Sequence, residues 1–226
     1  MLDILVELSS IQDKTMPEFL VIGALPLLMH GYLRYTALWD IDLLFRSVTD
    51  MQTFTRKHKS PTIRIVDYDD DLMVSESLTS YHTAWTSNNT WINVDYILRR
   101  ELFEFYAQGV ASSTPFSQRI NWQDNPYDVS LCLAKPWDII TNKIVSPRTA
   151  RDISLRVDTS IDIRHIFAVC NIEKNNTHFW KYIMSRGSWF GPEEIFKKKF
   201  LKILRAARDL GYEDLEISPV AMEMLS

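Results

Sequence analysis

Between Phe19 and Phe45 the chain runs FLVIGALPLLMHGYLRYTALWDIDLLF, an apolar stretch in which two aspartates, Asp40 and Asp42, stand one residue apart. The stretch has to be buried while its two acids resist burial, and that conflict narrows the folds open to the chain. Phe19 to Ile22 is a short apolar run of the kind that makes a buried strand, and Gly23 follows where the backbone must turn sharply. Pro26 suits the first turn of a helix, where its missing N–H costs nothing. That helix is expected to run through Leu27 and Leu28 to Gly31 or Tyr32, and a second strand to cover Trp39 to Phe45. Side chains two apart on a strand share a face, with α-carbons roughly 6.5–7 Å apart, so Asp40 and Asp42 can share one divalent ion. Two carboxylates so placed call for a neutralising partner. Magnesium is the natural candidate, because it takes oxygen ligands from one or two carboxylates together with substrate phosphates. Alternation by itself favours the plainer reading, an edge strand that keeps both acids in water and turns Ile41 and Leu43 inward.

The 226 residues suffice for one large domain or two small ones, and 46% apolar with 24% charged residues is ordinary for a globular chain. A net charge of −4 gives no general attraction to nucleic acid or anionic membranes, so any polyanion binding has to be local. Cys132 and Cys170 lie in apolar surroundings without metal-like spacing and are expected to be reduced core residues. The opening MLDILVELSS carries acids instead of a basic leader, and no apolar run approaches the roughly 18 residues of a span. The expectation is a cytoplasmic protein without a membrane segment.

Further along, Leu2 to Ile11 reads as an amphipathic helix, Thr49 to Lys57 as a helix with Asp50 in its first turn and Arg56 and Lys57 near its end, and Thr62 to Val66 as a strand. Asp67 to Asp71 reads as a solvated turn, and Leu72 to Trp85 is open between strand and helix. Thr90 to Ile97, rich in branched and aromatic residues, is a strand carrying Asp95, and Arg99 to Gln108 a helix. Ser112 to Trp122 and Tyr127 to Ala134 are extended around a turn at Asp124-Asn125-Pro126. From Ala134 the pattern is helical. Pro136 opens one helix, Ile161 to Ile172 and Thr177 to Arg186 make two more, and Pro192 to Leu210 the clearest, with Ile195, Phe196, Phe200, Ile203, Leu204 and Ala207 inward. On its other side Lys197, Lys198, Lys199, Lys202, Arg205 and Arg208 are either a solvated face or a surface for an RNA backbone, with Trp189 and Phe190 nearby to stack on a base. His165, among apolar neighbours, is expected to pack.

The order Gly23, helix, Arg34-x-Thr36, Asp40-x-Asp42, Leu43-Leu44 resembles the first motif of the nucleotidyltransferase superfamily, and most closely the abortive-infection type and minimal nucleotidyltransferases, several of which are toxins of toxin–antitoxin pairs. Two departures are visible. The turn is Gly23-Ala24 where Gly-Ser or Gly-Gly is usual, and Ala37-Leu38-Trp39 stands where one residue is usual. Backbone amides at a helix start can bind phosphate without a serine. The segment LCLAKPWDIITNKIVSPRTARD is similar to the second motif, with Lys143 matching its lysine. Asp158 and Asp162 stand where the family has a later acidic pair, but the expectation for them is a structural role, capping or pairing with arginines such as Arg156 and Arg164, ahead of contact with the nucleotide.

The resemblance implies an α+β (α/β-like) fold: a nucleotidyltransferase core of a small mixed sheet flanked by helices over residues 1–130, and a helical C-terminal part over 131–226, with an NTP between them. It implies Asp40, Asp42 and Asp95 as the catalytic acids and ligands of one or two Mg2+ ions. Gly23, Ala24, Arg34, Thr36 and Lys143 would take the nucleotide. The implied reaction moves a nucleoside monophosphate from an NTP to a hydroxyl of an RNA such as a tRNA, or of a protein, and an antitoxin protein is the implied partner. Two alternatives stand beside it: a binding or regulatory module that kept the fold and lost the chemistry, and a small-molecule transferase of the aminoglycoside-modifying kind.

Overall fold

A computed structural model describes residues 1–34, 40–58, 60–67, 80–87, 90–109, 115–122, 124–209 and 218–225. They fall into two compact units, Met1–Pro26 with Thr36–Lys135, and Leu27–Tyr35 with Pro136–Ser226.

The first unit is built on a five-stranded mixed sheet. Strands β1 (Phe19–Ile22), β2 (Asp40–Phe45), β3 (Arg64–Asp67), β4 (Ser80–Ser87) and β5 (Thr90–Leu98) stand in the order β1-β2-β5-β4-β3. Only β2 and β5 run parallel; the other pairs are antiparallel. All four residues of β1 are buried, as its unbroken apolar run requires. One face of the sheet carries Phe45 of β2, Tyr96 of β5 and Trp85 of β4, and Phe54 of helix α3 (Val48–Lys57) packs into them. Its ring centroid lies 5.4 Å from Phe45, 5.4 Å from Tyr96, 6.0 Å from Trp85 and 5.0 Å from Phe19. Each fully buried phenylalanine is worth roughly 1.5–3 kcal/mol of transfer free energy, so this cluster anchors the sheet. Helix α3 starts at Ser47, whose hydroxyl accepts from the Asp50 N–H.

Helix α1 (Leu2–Ile11) buries Ile4, Leu5, Leu8 and Ile11 and packs against β7 (Asn125–Leu131) of a hairpin with β6 (Phe116–Trp122). Beyond β7 the chain pairs with β1: the Val21 N–H donates to Cys132 at 3.1 Å, and that of Ala134 to Val21 at 2.8 Å. The expected Asp124-Asn125-Pro126 turn is shifted. Asp124 sits at φ 62, while Asn125 and Pro126 belong to β7 opposite Trp122 and Asn121, an edge where proline's lack of an N–H is tolerated. Helix α4 (Arg100–Ala107) follows β5.

Helix α2 (Ala24–Met29) is shorter than its apolar pattern suggests. Gly31 at φ +78 ends it, its N–H bonded to Leu28 and that of Tyr32 to Leu27, the paired bonds of a left-handed glycine stop. In the second unit α5 (Pro136–Val145) packs against α7 (Ile161–Ile172), α8 (Thr177–Gly187) and α9 (Glu193–Asp209), with α6 (Pro147–Ser154) and α10 (Pro219–Leu225) completing it. A Cβ on Gly187 would lie 2.5 Å from the Phe196 ring, so a glycine here lets α8 and α9 meet. Buried Asp138 of α5 takes the Arg186 guanidinium at 2.8 Å and the Tyr182 hydroxyl at 3.1 Å. Phe196, Phe200, Ile203 and Leu204 of α9 are buried as their spacing predicts, but Ile195 faces outward, 49% exposed. The expected turn at Asp67 to Asp71 lies outside the described residues after Asp67, as does Leu72 to Thr79. No described helix is long and apolar enough to cross a membrane.

Candidate metal centre

Strand register assembles the acids. Asp42 of β2 stands opposite Asp95 of β5, and Asp40 opposite Asn93, so these four side chains share one face of the sheet. The intervening Ile41, Leu43 and Val94 turn to the other face and are fully buried. One carboxylate oxygen each from Asp40, Asp42 and Asp95 lies within 4.8 Å of the others. At such separations like charges repel by roughly 3 kcal/mol per pair for an effective dielectric of about 20, less where water screens the exposed Asp40.

Gly23 closes the site from behind. It follows β1, whose Ile22 pairs with Asp42, and stands at φ +75. A Cβ built there would be 2.0 Å from Asp42 Oδ2, so only glycine lets the backbone pass the carboxylate.

The donor set suits a hard divalent cation, with oxygen ligands from two parallel strands and a net negative charge. The buried Asn93 Oδ1 beside Asp40 has no hydrogen-bond partner among the described residues, leaving a neutral oxygen for an ion or its water.

Two members of this face could not be read as site residues from the sequence. One is Asn93. The other is His82 of β4, which stands opposite Asp95 and places Nδ1 3.0 Å from Asp95 Oδ1. Both are revealed by register alone.

The nucleotide-binding candidates come from both compact units. Gly23 and Ala24 adjoin the acids at the β1–α2 junction. Arg34 is exposed, and Thr36 lies outside the described residues. Lys143 belongs to the second unit, where its ammonium pairs with buried Asp162. Arg148 Nε, 3.9 Å away, and the Thr149 hydroxyl at 3.5 Å also face that carboxylate. Asp162 is thus paired, but with Lys143 and Arg148 in place of the expected Arg156 or Arg164. His165 packs, and burial, reinforced by the Lys143 charge, pushes its imidazole down to about 4. Cys132 and Cys170 are free and buried, and burial pushes both thiols up.

No protein-family model matches the chain, and no curated protein sequence matches it. Among solved structures it is similar to a Helicobacter pylori protein described as a candidate nucleotidyltransferase, at a TM-score of 0.43 and 13% identity, over 99% of this chain and 88% of that one. It is also similar to JHP933 from Helicobacter pylori, at 0.36 and 12%, over 94% and 91%. Likenesses this remote carry no weight in assigning a function.

Proposed function

We propose that the protein is a metal-dependent nucleotidyltransferase. The hydroxyl oxygen of an acceptor attacks the α-phosphorus of an NTP, the bond from that phosphorus to the bridging oxygen breaks, and pyrophosphate leaves as the hydroxyl gives up its proton. The observation that carries this reading is the meeting of Asp40, Asp42 and Asp95 from two parallel strands, their oxygens within 4.8 Å of one another, with Gly23 pressed against Asp42. Asp40 and Asp42 would hold magnesium, and Asp95 would complete that shell or take the acceptor's proton. Magnesium held there would offset the charge developing on the phosphate oxygens. Gly23, Ala24, Arg34, Thr36 and Lys143 are assigned to the nucleotide by the sequence resemblance, and where that holds, alanine at Lys143 raises KM for the NTP.

RNA is the proposed acceptor, in a cytoplasmic protein that acts as the toxin of a toxin–antitoxin pair. What supports RNA over a small molecule is α9, where Lys198, Lys199, Lys202 and Arg205 are exposed on a chain whose net charge is −4.

The test is incubation with magnesium, labelled NTPs and total tRNA, alongside Asp42→Ala. Label on RNA from the wild type and not from the variant supports the enzyme. NTP binding without product points to a binding module, and label only on a panel of aminoglycosides to a small-molecule transferase. Growth arrest on expression, relieved by a neighbouring gene product, tests the toxin role.

A further inference from the structure

His82 stands on the third strand of a single rung that runs Asp42, Asp95, His82 across β2, β5 and β4, all three side chains on one face of the sheet. Its Nδ1 lies 3.0 Å from Asp95 Oδ1. An ionised carboxylate only accepts, so the hydrogen sits on Nδ1 and the imidazole donates. We infer that His82 is a positioning residue for the metal centre, fixing the Asp95 carboxylate so that its remaining lone pairs face Asp42. This rests on the metal-binding reading of the three acids.

The physical case is one of preorganisation. Asp95 has its own torsional freedom and a repulsive neighbour in Asp42, so without a tether its carboxylate swings toward water. A carboxylate offers about four lone-pair sites, and one bond to His82 leaves the others for a cation. The side chains of His82 and Asp95 are 51% and 22% exposed, so as a surface contact the pair stabilises the fold little. Its consequence falls on ligand geometry, where partners behind a ligand commonly change metal affinity by about 10–100-fold.

The experiment is a titration of the metal-free full chain with Mn2+, free ion being counted by its electron paramagnetic resonance signal, for the wild type, His82→Ala, His82→Phe and His82→Asn. Alanine and phenylalanine remove the donor, and phenylalanine keeps the bulk. Asparagine places an amide N–H close to where Nδ1–H was. Both donor-less variants are expected to bind about tenfold more weakly or worse, and His82→Asn to recover most of the loss, with thermal midpoints within a few degrees of one another. Wild-type affinity in His82→Ala and His82→Phe overturns the inference and leaves the metal centre standing. So does an asparagine variant as weak as alanine, since the donor would then not be what matters. A wild type that binds no Mn2+, or binds it as well after Asp42→Ala, overturns the metal reading itself and the inference with it.

Discussion

At the scale of single residues, Gly23 and Gly31 make a controlled comparison. Both adopt left-handed backbone, φ +75 and +78, but a Cβ on Gly31 meets nothing within 4 Å while one on Gly23 would sit 2.0 Å from Asp42 Oδ2. Gly31→Ala should therefore cost backbone strain only, about 1 kcal/mol in urea unfolding, and leave Mn2+ affinity unchanged. Gly23→Ala should carry the same strain and also push the Asp42 carboxylate out of its place, so its Mn2+ affinity should fall at least tenfold. Equal metal binding in the two variants would show that the approach of Gly23 to Asp42 is not what holds the carboxylate. Much of this was legible in advance, since glycine after an apolar strand announces a turn. That the turn is also the back wall of the acid site was not, because the contact depends on the antiparallel pairing of β1 with β2.

Elements were legible where local chemistry alone decides them. Helices α7 and α8 begin at Ser160 and Asn176, whose side chains accept backbone N–H groups, and both match their expected spans closely. Strand β4 was not legible, since its inward Tyr81, Thr83 and Trp85 emerge only beside β5. Asp40 and Asp42 could be named from their spacing on one strand, whereas Asp95 came only with the family resemblance, and nothing local sets the parallel register of β2 with β5.

Two element-scale predictions concern the helical unit. In α7 the folded chain keeps His165 neutral, with its pKa down at about 4, while an unfolded imidazole titrates near 6.5. Between those values the unfolded chain binds a proton that the folded one refuses, so stability is full above about pH 6.5 and falls as pH drops toward 4, by up to about 3 kcal/mol. In urea unfolding at pH 7 and 4.5, His165→Leu should lose less stability on acidification than the wild type. Between α5 and α8, Arg186→Met removes the cation from fully buried Asp138 and should cost about 3–5 kcal/mol, whereas Asp138→Asn combined with Arg186→Met should recover part of that. If the single variant unfolds at wild-type urea, the pair is not what joins the two helices.

At the scale of the whole molecule, the chain passes between its two units three times, because Leu27–Tyr35 is part of the second unit while the residues on either side of it in sequence belong to the first. That short segment is held within the second unit by Tyr32, whose hydroxyl donates to Glu173 and accepts from Trp137 Nε1 at 3.0 Å. Burial, with the bond to Glu173, pushes the phenol up to about 12, so it remains a donor throughout ordinary pH. A polypeptide cut between the units should therefore not come apart. With a protease site inserted after Lys135 and cleaved in the folded protein, the 1–135 fragment still carries residues 27–35, and the two fragments should co-elute in size exclusion at neutral pH. Tyr32→Ala should loosen them, so that the cleaved variant separates at a urea concentration where the cleaved parent does not. Immediate separation of the parent's fragments would mean that residues 27–35 contribute too little to the helical unit to tether it, and that the linker at Lys135–Pro136 was what joined the two.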